Sequence, residues 1–208
     1  NNVWLLQWDA LTGKVTVDTD LPQLPQACSY LSATFIDNHI FIAGNTFDDL
    51  LKLEFRLGKE AQWQAQGKIP GKSRQGAVLI KQSNGENDCL YYFGGKNGNE
   101  YLTDAYYYNY NSPNPSLSEW IRLPDLPRPV FGSPAINYST SNIFLFSGSD
   151  GHDMDKIMEI KDNYLFTPDI LSLNTITKIW STVGVMPYGV INNPAVQWNG
   201  QIIISGGE

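Results

Sequence analysis

Cysteine and histidine are scarce in this chain of 208 residues, which contains two of each. Cys28 and Cys89 are too few for a disulfide framework or a zinc site, and we expect both to be unpaired core residues. His39 and His152 are likewise too few for a histidine-based metal site. We therefore predict that the protein binds no metal and needs no cofactor.

Long apolar runs and clusters of basic residues are also missing. No stretch approaches the roughly 20 apolar residues of a membrane-spanning helix. The formal net charge is −7, and no group of Lys and Arg could neutralise the phosphates of a duplex. We therefore expect neither a membrane nor nucleic acid as a partner. Because the start has no Met and no signal-peptide pattern, we expect a cleaved leader or excision from a longer chain.

Aromatic residues, glycine and proline are abundant, with 11 Tyr, 9 Phe, 6 Trp, 18 Gly and 12 Pro. Aromatic side chains fit the pleated surface of a sheet, and Gly and Pro set the tight turns between strands. This composition is typical of an all-β protein with many short strands. A chain of 208 residues is compatible with one large domain.

A four-strand unit recurs along the chain. The second strand of each unit ends in a glycine closure, and these closures are Ala43-Gly44, Gly94-Gly95, Ser147-Gly148 and Gly206-Gly207. The third strands begin at Asp49, Asp104 and Asp169, and the fourth strands carry Trp63, Trp120 and Trp180. The last glycines recur at intervals of 51, 53 and 59 residues. The pattern predicts a kelch-type β-propeller of four-stranded antiparallel blades, with a β-sandwich as the alternative.

The repeat divides the chain into three complete blades, at 28–70, 71–127 and 128–187. Residues 1–27 supply the third and fourth strands of a closing blade, and residues 188–208 the first and second strands of blade 4. The ring either closes with four blades or, as we favour, is part of a six-bladed ring. In the second case no ladder joins Val3–Trp8 to Ile202–Ser205, and the open blade edges allow self-association.

Beyond the kelch pattern, the chain from Cys28 to Glu208 resembles the bacterial sialic acid mutarotases, also called N-acetylneuraminate epimerases. The segments that carry the resemblance are 33–37, 69–77, 155–157, 170–181 and 204–208. The resemblance implies a six-bladed kelch propeller that interconverts the α and β anomers of N-acetylneuraminate, with this small anionic sugar as its partner. Residues 1–27 resemble the closing strands of the family, which implies its cyclically permuted branch.

One rim of the propeller gathers the candidate site residues. In an antiparallel meander, the loop after each second strand shares a rim with the connection to the next blade. Lys96 and Glu208 follow glycine closures, whereas Ser73, Arg74 and Asn193 precede first strands.

Each of these rim residues has an expected role. The resemblance matches Glu208 to the catalytic Glu of the family, which would carry a proton during anomer exchange. We expect Ser73, Asn193 and Lys96 to bind substrate. Arg74 either grips the sugar carboxylate or forms a rim ion pair.

The insert after the third glycine closure is acidic, and we interpret it as a lid that includes Asp155 and Lys156, with a solvated loop as the alternative. Arg128 is interpreted as a surface residue. We interpret Tyr106, Tyr107, Tyr108 and Tyr110 as packing residues.

The resemblance also bears on activity and location. The family continues past Glu208 with an Arg about six residues on and with two further blades, so we expect little mutarotase activity from this chain alone. We expect a periplasmic or exported protein, with a cytoplasmic location left open. The competing function is that of a non-catalytic kelch module that binds protein or carbohydrate.

Overall fold

The computed structural model describes residues 2–111, 113–152 and 166–205, and within them the protein is built from short β-strands. The strands are β1 Leu5–Asp9, β2 Lys14–Asp18, β3 Ser32–Ile36, β4 His39–Gly44, β5 Phe47–Glu54, β6 Gln64–Lys68, β7 Val78–Ser83, β8 Asp88–Phe93, β9 Lys96–Asn97, β10 Glu100–Tyr101, β11 Ala105–Asn109, β12 Glu119–Leu123, β13 Ala135–Tyr138, β14 Asn142–Phe146, β15 Asp169–Asn174, β16 Ile179–Val185, β17 Ala195–Trp198 and β18 Gln201–Ile204. Two short 3₁₀ helices, Phe55–Glu60 and Pro115–Leu117, interrupt them.

The long strands form three antiparallel sheets of four strands each, in the orders β3-β4-β5-β6, β7-β8-β11-β12 and β13-β14-β15-β16. The hairpins β1–β2 and β17–β18 are separate two-stranded sheets. In the part of the chain that the structure describes, no ladder joins Val3–Trp8 to Ile202–Ser205, as expected for an unclosed ring. The predicted all-β fold of four-stranded antiparallel sheets is confirmed, while the division into numbered blades stays a prediction.

The first strand of each sheet lies innermost. Strands β3, β7, β13 and β17 are successive neighbours, and their residues line one cavity of about 510 Å³. Small side chains such as Ala33, Ala77 and Ser133 occupy this wall, because the inner strands converge where little space is available for each side chain. The cavity therefore marks the axis about which the sheets are arranged.

The apolar core lies between the sheets. Tyr91, Phe93 and Tyr107 of the second sheet pack with Leu145 and Leu173 of the third. A second cluster joins the first sheet to the second through residues that include Phe41, Leu50, Leu90 and Tyr92. The three tyrosines of β11 and Tyr110, which follows that strand, are buried. Tyr106, Tyr107, Tyr108 and Tyr110 are all at 8% exposure or less. Their predicted packing role is confirmed.

The tryptophans of the outer strands lie at the edge of the core. Trp63, Trp120 and Trp180 are half-buried, because the outermost strand leaves one side of the indole next to solvent. Trp180 still joins two sheets: its ring lies 5.1 Å from that of Phe93, and its indole N–H donates to the carbonyl of Pro124 at 3.1 Å. Both cysteines are free, and Cys89 is buried while Cys28 is half-buried.

The glycine closures bring the sheets into backbone contact. The amide of Asn45 donates to the carbonyl of Arg74 at 2.6 Å, and the amide of Gly95 donates to that of Val130 at 2.7 Å. Gly94 has a φ of 58°, and a Cβ there would lie inside the 3.0 Å that real Cβ contacts respect, against the Val130 carbonyl. The glycine is therefore needed both for its left-handed backbone and for the close approach.

We expect Gly94→Ala to destabilise the protein more than Gly98→Ala does. Gly98 has a φ of 57°, and a Cβ there would meet nothing within 4 Å. Both substitutions cost about 1–2 kcal/mol of left-handed strain, but only the first adds an overlap with backbone, about 1–3 kcal/mol more. Urea unfolding of the two variants measures this difference. Equal losses of unfolding free energy would show that the neighbouring sheets can move apart at this closure and accommodate the added Cβ.

Candidate functional site

We call the end of the axial cavity at which the inner strands begin its mouth, and residues that just precede those strands border it. Tyr30, Gly76, Gly132 and Asn192 all have positive φ, between 53° and 67°. Their backbones are linked in a row: Gly76 N–H donates to Tyr30 at 2.9 Å, Gly132 N–H to Gly76 at 2.9 Å, and Asn192 N–H to Gly132 at 2.8 Å. The four residues therefore occupy equivalent places, one before each inner strand.

Lys96 lies at this mouth, as its position after a glycine closure predicted. Its backbone forms an isolated bridge with Gln75, with both hydrogen bonds at 2.9 Å. Its ammonium lies 4.7 Å from the ring centre of Phe131 and 5.7 Å from that of Tyr101. No ion pair joins Lys96 to a carboxylate among the described residues. The amine is thus held over aromatic rings with its charge unneutralised by a described acid.

Ser73 is exposed on the same rim, and its hydroxyl donates to the carbonyl of Asn45 at 2.5 Å. The side-chain amide of Asn97 donates in turn to the carbonyl of Ser73, also at 2.5 Å. These bonds connect the loop before β7 with the loop that follows β4 and with β9. The hydroxyl hydrogen is therefore used within the protein, while the residue remains exposed and its oxygen can accept a further hydrogen bond.

Arg74 turns inward beside Ser73, and its side chain has 0% exposure. The guanidinium forms a bidentate pair with Asp104, at 2.5 and 2.6 Å, and donates further to the carbonyls of Lys72 and Gly94. It also lies over the rings of Tyr92 and Tyr106. This geometry favours the ion pair, which the sequence left open, over a contact with a sugar carboxylate.

The ion pair determines the ionisation of its surroundings. Burial alone would raise the pKa of Asp104, but the hydrogen bonds and charge of Arg74, together with the Tyr106 hydroxyl and the charge of Arg122, outweigh burial and bring that pKa below its ordinary value. Burial, together with the Asp104 charge, raises the pKa of the Tyr106 hydroxyl. Asp104 is therefore a structural anion in this environment and has no features of a proton donor at neutral pH.

The same pair recurs in the next sheet, where sequence reasoning missed it. Arg128 donates to Asp169 at 2.9 Å through Nε and to the carbonyl of Ser147 at 3.0 Å. Its side chain is only 13% exposed, so the interpretation of Arg128 as a surface residue is wrong. In each case an arginine before the first strand binds the aspartate that leads the third strand. The sequence did contain a signal for it: an aspartate recurs at the start of each third strand, and an aspartate that becomes buried there needs a cationic partner.

Asn193 lies in the wall of the axial cavity and is 8% exposed. Its amide nitrogen donates to the carbonyl of Ser205 at 3.4 Å, and its buried side-chain oxygen has no hydrogen-bond partner. Ser133 is its counterpart in the third sheet, since its hydroxyl donates to the carbonyl of Phe146 at 3.1 Å. Asn193 therefore makes the same kind of bond to its second strand as Ser133 does, and its side-chain oxygen is an additional acceptor without a partner.

A smaller cavity of about 240 Å³ lies between the first and second sheets. Its lining includes Gly44, Lys68, Ser73 and Tyr92. Burial raises the pKa of the Tyr92 hydroxyl, and the charge of Asp104 adds to this while that of Arg74 opposes it. The hydroxyl therefore stays protonated and can act as a hydrogen-bond donor in this cavity.

Three predicted site residues, Glu208, Asp155 and Lys156, lie outside the described residues. Among the described residues, no group of three or more His, Cys, Asp or Glu side chains could hold a metal ion. The described helices include none with the length and apolar character of a membrane span. The structure thus brings Lys96, Ser73 and Asn193 to the rim and cavity wall and turns Arg74 away.

Comparison with known proteins places the fold. The solved structure of YjhT superimposes with a TM-score of 0.70 at 22% identity, over 91% of this chain and 61% of that one. No family model matches the sequence. The protein is a kelch-type β-propeller in fold, as the repeat predicted.

Two curated relatives extend the likeness to sequence. N-acetylneuraminate epimerase of Yersinia enterocolitica is 24% identical over 90% of this chain, and that of Pasteurella multocida is 23% identical over 90%. The alignments cover 53% and 54% of those proteins, so the chain spans about half the length of the curated relatives it matches. The chain is similar in sequence to two N-acetylneuraminate epimerases, and the predicted resemblance is confirmed.

Proposed function

We propose that the protein acts in the interconversion of the α and β anomers of N-acetylneuraminate, at the mouth of the axial cavity. The observation that carries this proposal is the likeness to two N-acetylneuraminate epimerases over 90% of the chain. The geometry supports it through Lys96, an amine at the mouth without a described carboxylate partner. A sugar acid would supply the missing negative charge.

The exchange requires both proton transfer and correct placement of the sugar, and different rim residues are proposed for the two tasks. Ring opening removes a proton from the anomeric hydroxyl and adds one to the ring oxygen, and closure reverses both transfers on the other face. Glu208 is the proposed proton carrier, because a carboxylate in a cleft can be adjusted to this task. Asn193 and Ser73 are proposed to orient the sugar, and Arg74 contributes by holding the loop that carries Ser73.

The lid role of Asp155 and Lys156 and a periplasmic or exported location remain part of this proposal as predictions. The likeness to relatives of about twice this length bears on activity, because residues of a complete site can lie in the part of those proteins that the alignment leaves uncovered. We therefore propose substrate binding by this chain and only slow exchange by it alone.

The test is NMR spectroscopy of freshly dissolved α-anomer with and without the protein. We expect saturation transfer from protein to sugar, which reports binding, together with little acceleration of the approach to the β-anomer. Full acceleration would overturn the proposal that this chain alone exchanges the anomers only slowly. Absence of any saturation transfer would overturn the proposed function and favour a kelch module that binds another partner.

A further inference from the structure

We propose that Tyr30 is a substrate-contacting residue: its exposed ring, supported by the buried ring of Phe131, is an aromatic platform for the uncharged face of a sugar acid whose carboxylate lies at Lys96. This inference rests on the proposed function and specifies how the ligand is recognised. It begins from the backbone of Tyr30, which has a φ of 53°. A bulky residue rarely takes this left-handed conformation, because its Cβ crowds the following carbonyl.

The equivalent places show that the fold does not require a tyrosine here. In the hydrogen-bonded row around the mouth, the next residues are Gly76, Gly132 and Asn192, the residue types that tolerate positive φ. Tyr30 is the exception among the four, and it therefore carries strain that the other repeats avoid. Strain of this kind clusters at ligand sites, where the side chain compensates for it by function.

The side chain of Tyr30 has little structural use to offset that strain. It is 57% exposed, and its ring centre lies 6.3 Å from that of Phe131 in a tilted arrangement. The ring of Phe131 covers Gly76 so closely that a Cβ on Gly76 would overlap it. Phe131 is itself buried, at 6% exposure, so its ring supports that of Tyr30. The Tyr30 ring is the apolar surface that is open to solvent at the cavity mouth.

Charge defines the ligand that fits this surface. Lys96 holds its ammonium 4.7 Å from the centre of the Phe131 ring, next to the platform, and has no carboxylate partner among the described side chains. An aromatic surface beside an unpaired cation suits a small molecule with one apolar face and one carboxylate. Sugar acids with an N-acyl group have both features, which is why we commit to that class of ligand.

The experiment separates the platform from the cation by two substitutions and two probes. Tyr30→Asn introduces asparagine, the residue type found at the equivalent position 192. Lys96→Met keeps the aliphatic stem while removing the charge. The probes are N-acetylneuraminate and a neutral N-acetylhexosamine, titrated by NMR into the 208-residue chain. We expect Tyr30→Asn to weaken both probes about three- to tenfold, as loss of an aromatic contact does. Lys96→Met should weaken only the acid.

Thermal unfolding supplies a readout that does not depend on the sugar. We expect Tyr30→Asn to unfold at the same or a higher temperature than the wild type, because Asn tolerates the left-handed backbone. The matched control is Ser139→Asn, since Ser139 has a φ of 54° and lies in the β13–β14 turn, at the far end of β13. This control should behave similarly in unfolding and leave the affinity for both probes unchanged.

The outcomes are distinguishable. Unchanged affinity of Tyr30→Asn for a sugar that the wild type binds would overturn the platform and leave the proposed function intact. A wild type that binds neither probe would overturn the proposed function. A marked fall in the unfolding temperature of Tyr30→Asn, absent in Ser139→Asn, would assign Tyr30 a structural role and overturn the inference whatever the sugar result.

Discussion

Arg74→Met is expected to destabilise the protein by about 3–5 kcal/mol, the usual cost of removing one partner of a buried ion pair. The guanidinium has 0% exposure, whereas the Asp104 side chain is 18% exposed. Methionine fills similar space but leaves Asp104 without its bidentate donor and leaves the Gly94 carbonyl without its bond to Nη1. Urea unfolding followed by tryptophan fluorescence measures the loss.

Arg122→Met is the matched control, because Arg122 also faces Asp104. Its Nη1 lies 3.9 Å from that carboxylate, and its side chain is 49% exposed. An exposed pair is worth about 0–1 kcal/mol, so this variant should unfold nearly as the wild type does. If Arg74→Met were as stable as the wild type but lost sugar binding, Arg74 would be a ligand residue after all.

The pH dependence gives an independent view of the same pair. The pKa of Asp104 is lower in the folded protein than its ordinary value, since Arg74, with smaller contributions from Tyr106 and Arg122, outweighs the effect of burial. The stabilisation is therefore fully present above the unfolded pKa, about 3.9, and is lost as pH falls through the lower folded pKa. The stability gap between wild type and Asp104→Asn should narrow in that acidic range and stay constant near neutrality.

Sequence reasoning worked where the fold repeats a local pattern. The glycine closures, the leading aspartates and the spaced tryptophans each depend on contacts that every sheet makes in the same way, so their recurrence shows the architecture. Trp180 illustrates the limit of this reasoning: a repeat marks the contact of its indole with the neighbouring sheet, but not how much of the ring the outer strand leaves exposed.

The arginine–aspartate pairs could not be read from the repeat because the register of the arginine shifts between sheets. Arg74 stands two residues before Gly76, and Arg128 stands four before Gly132. Their partners follow 30 and 41 residues later, at the start of the third strand of each sheet. Whether such an arginine points towards a ligand or pairs with an aspartate inside the protein depends on the path of the loop. The residue types alone do not define that path.

The features of the mouth needed the structure for a related reason. The contact of Lys96 with Phe131 joins consecutive sheets, and nothing in either local sequence marks it. Tyr30 did have a signal, because it precedes its inner strand as Gly76, Gly132 and Asn192 precede theirs. The unusual residue type at this position can be recognised only once the row of backbone hydrogen bonds shows which residues are equivalent.

Glu208→Gln is expected to slow anomer exchange about 10²- to 10⁴-fold, the contribution typical of a general acid–base group. The measurement is the NMR rate of α-to-β conversion, made on the longest form of the protein that accelerates the exchange. Glutamine keeps the size and hydrogen-bonding reach of the side chain but cannot carry a proton at neutral pH. The fall should therefore appear in the rate at saturating sugar, while the affinity for the sugar changes little.

Glu100→Gln tests whether the loss is specific to Glu208. Glu100 is an exposed glutamate of the rim that pairs with Lys72, so its substitution removes one negative charge, as Glu208→Gln does. We expect that variant to exchange the anomers at the wild-type rate. If both variants lost activity equally, the effect would come from the overall potential of the rim, which attracts or repels an anionic sugar. If Glu208→Gln kept the full rate, Glu208 would be an ordinary turn carboxylate, and the proton carrier would have to be another group at the mouth.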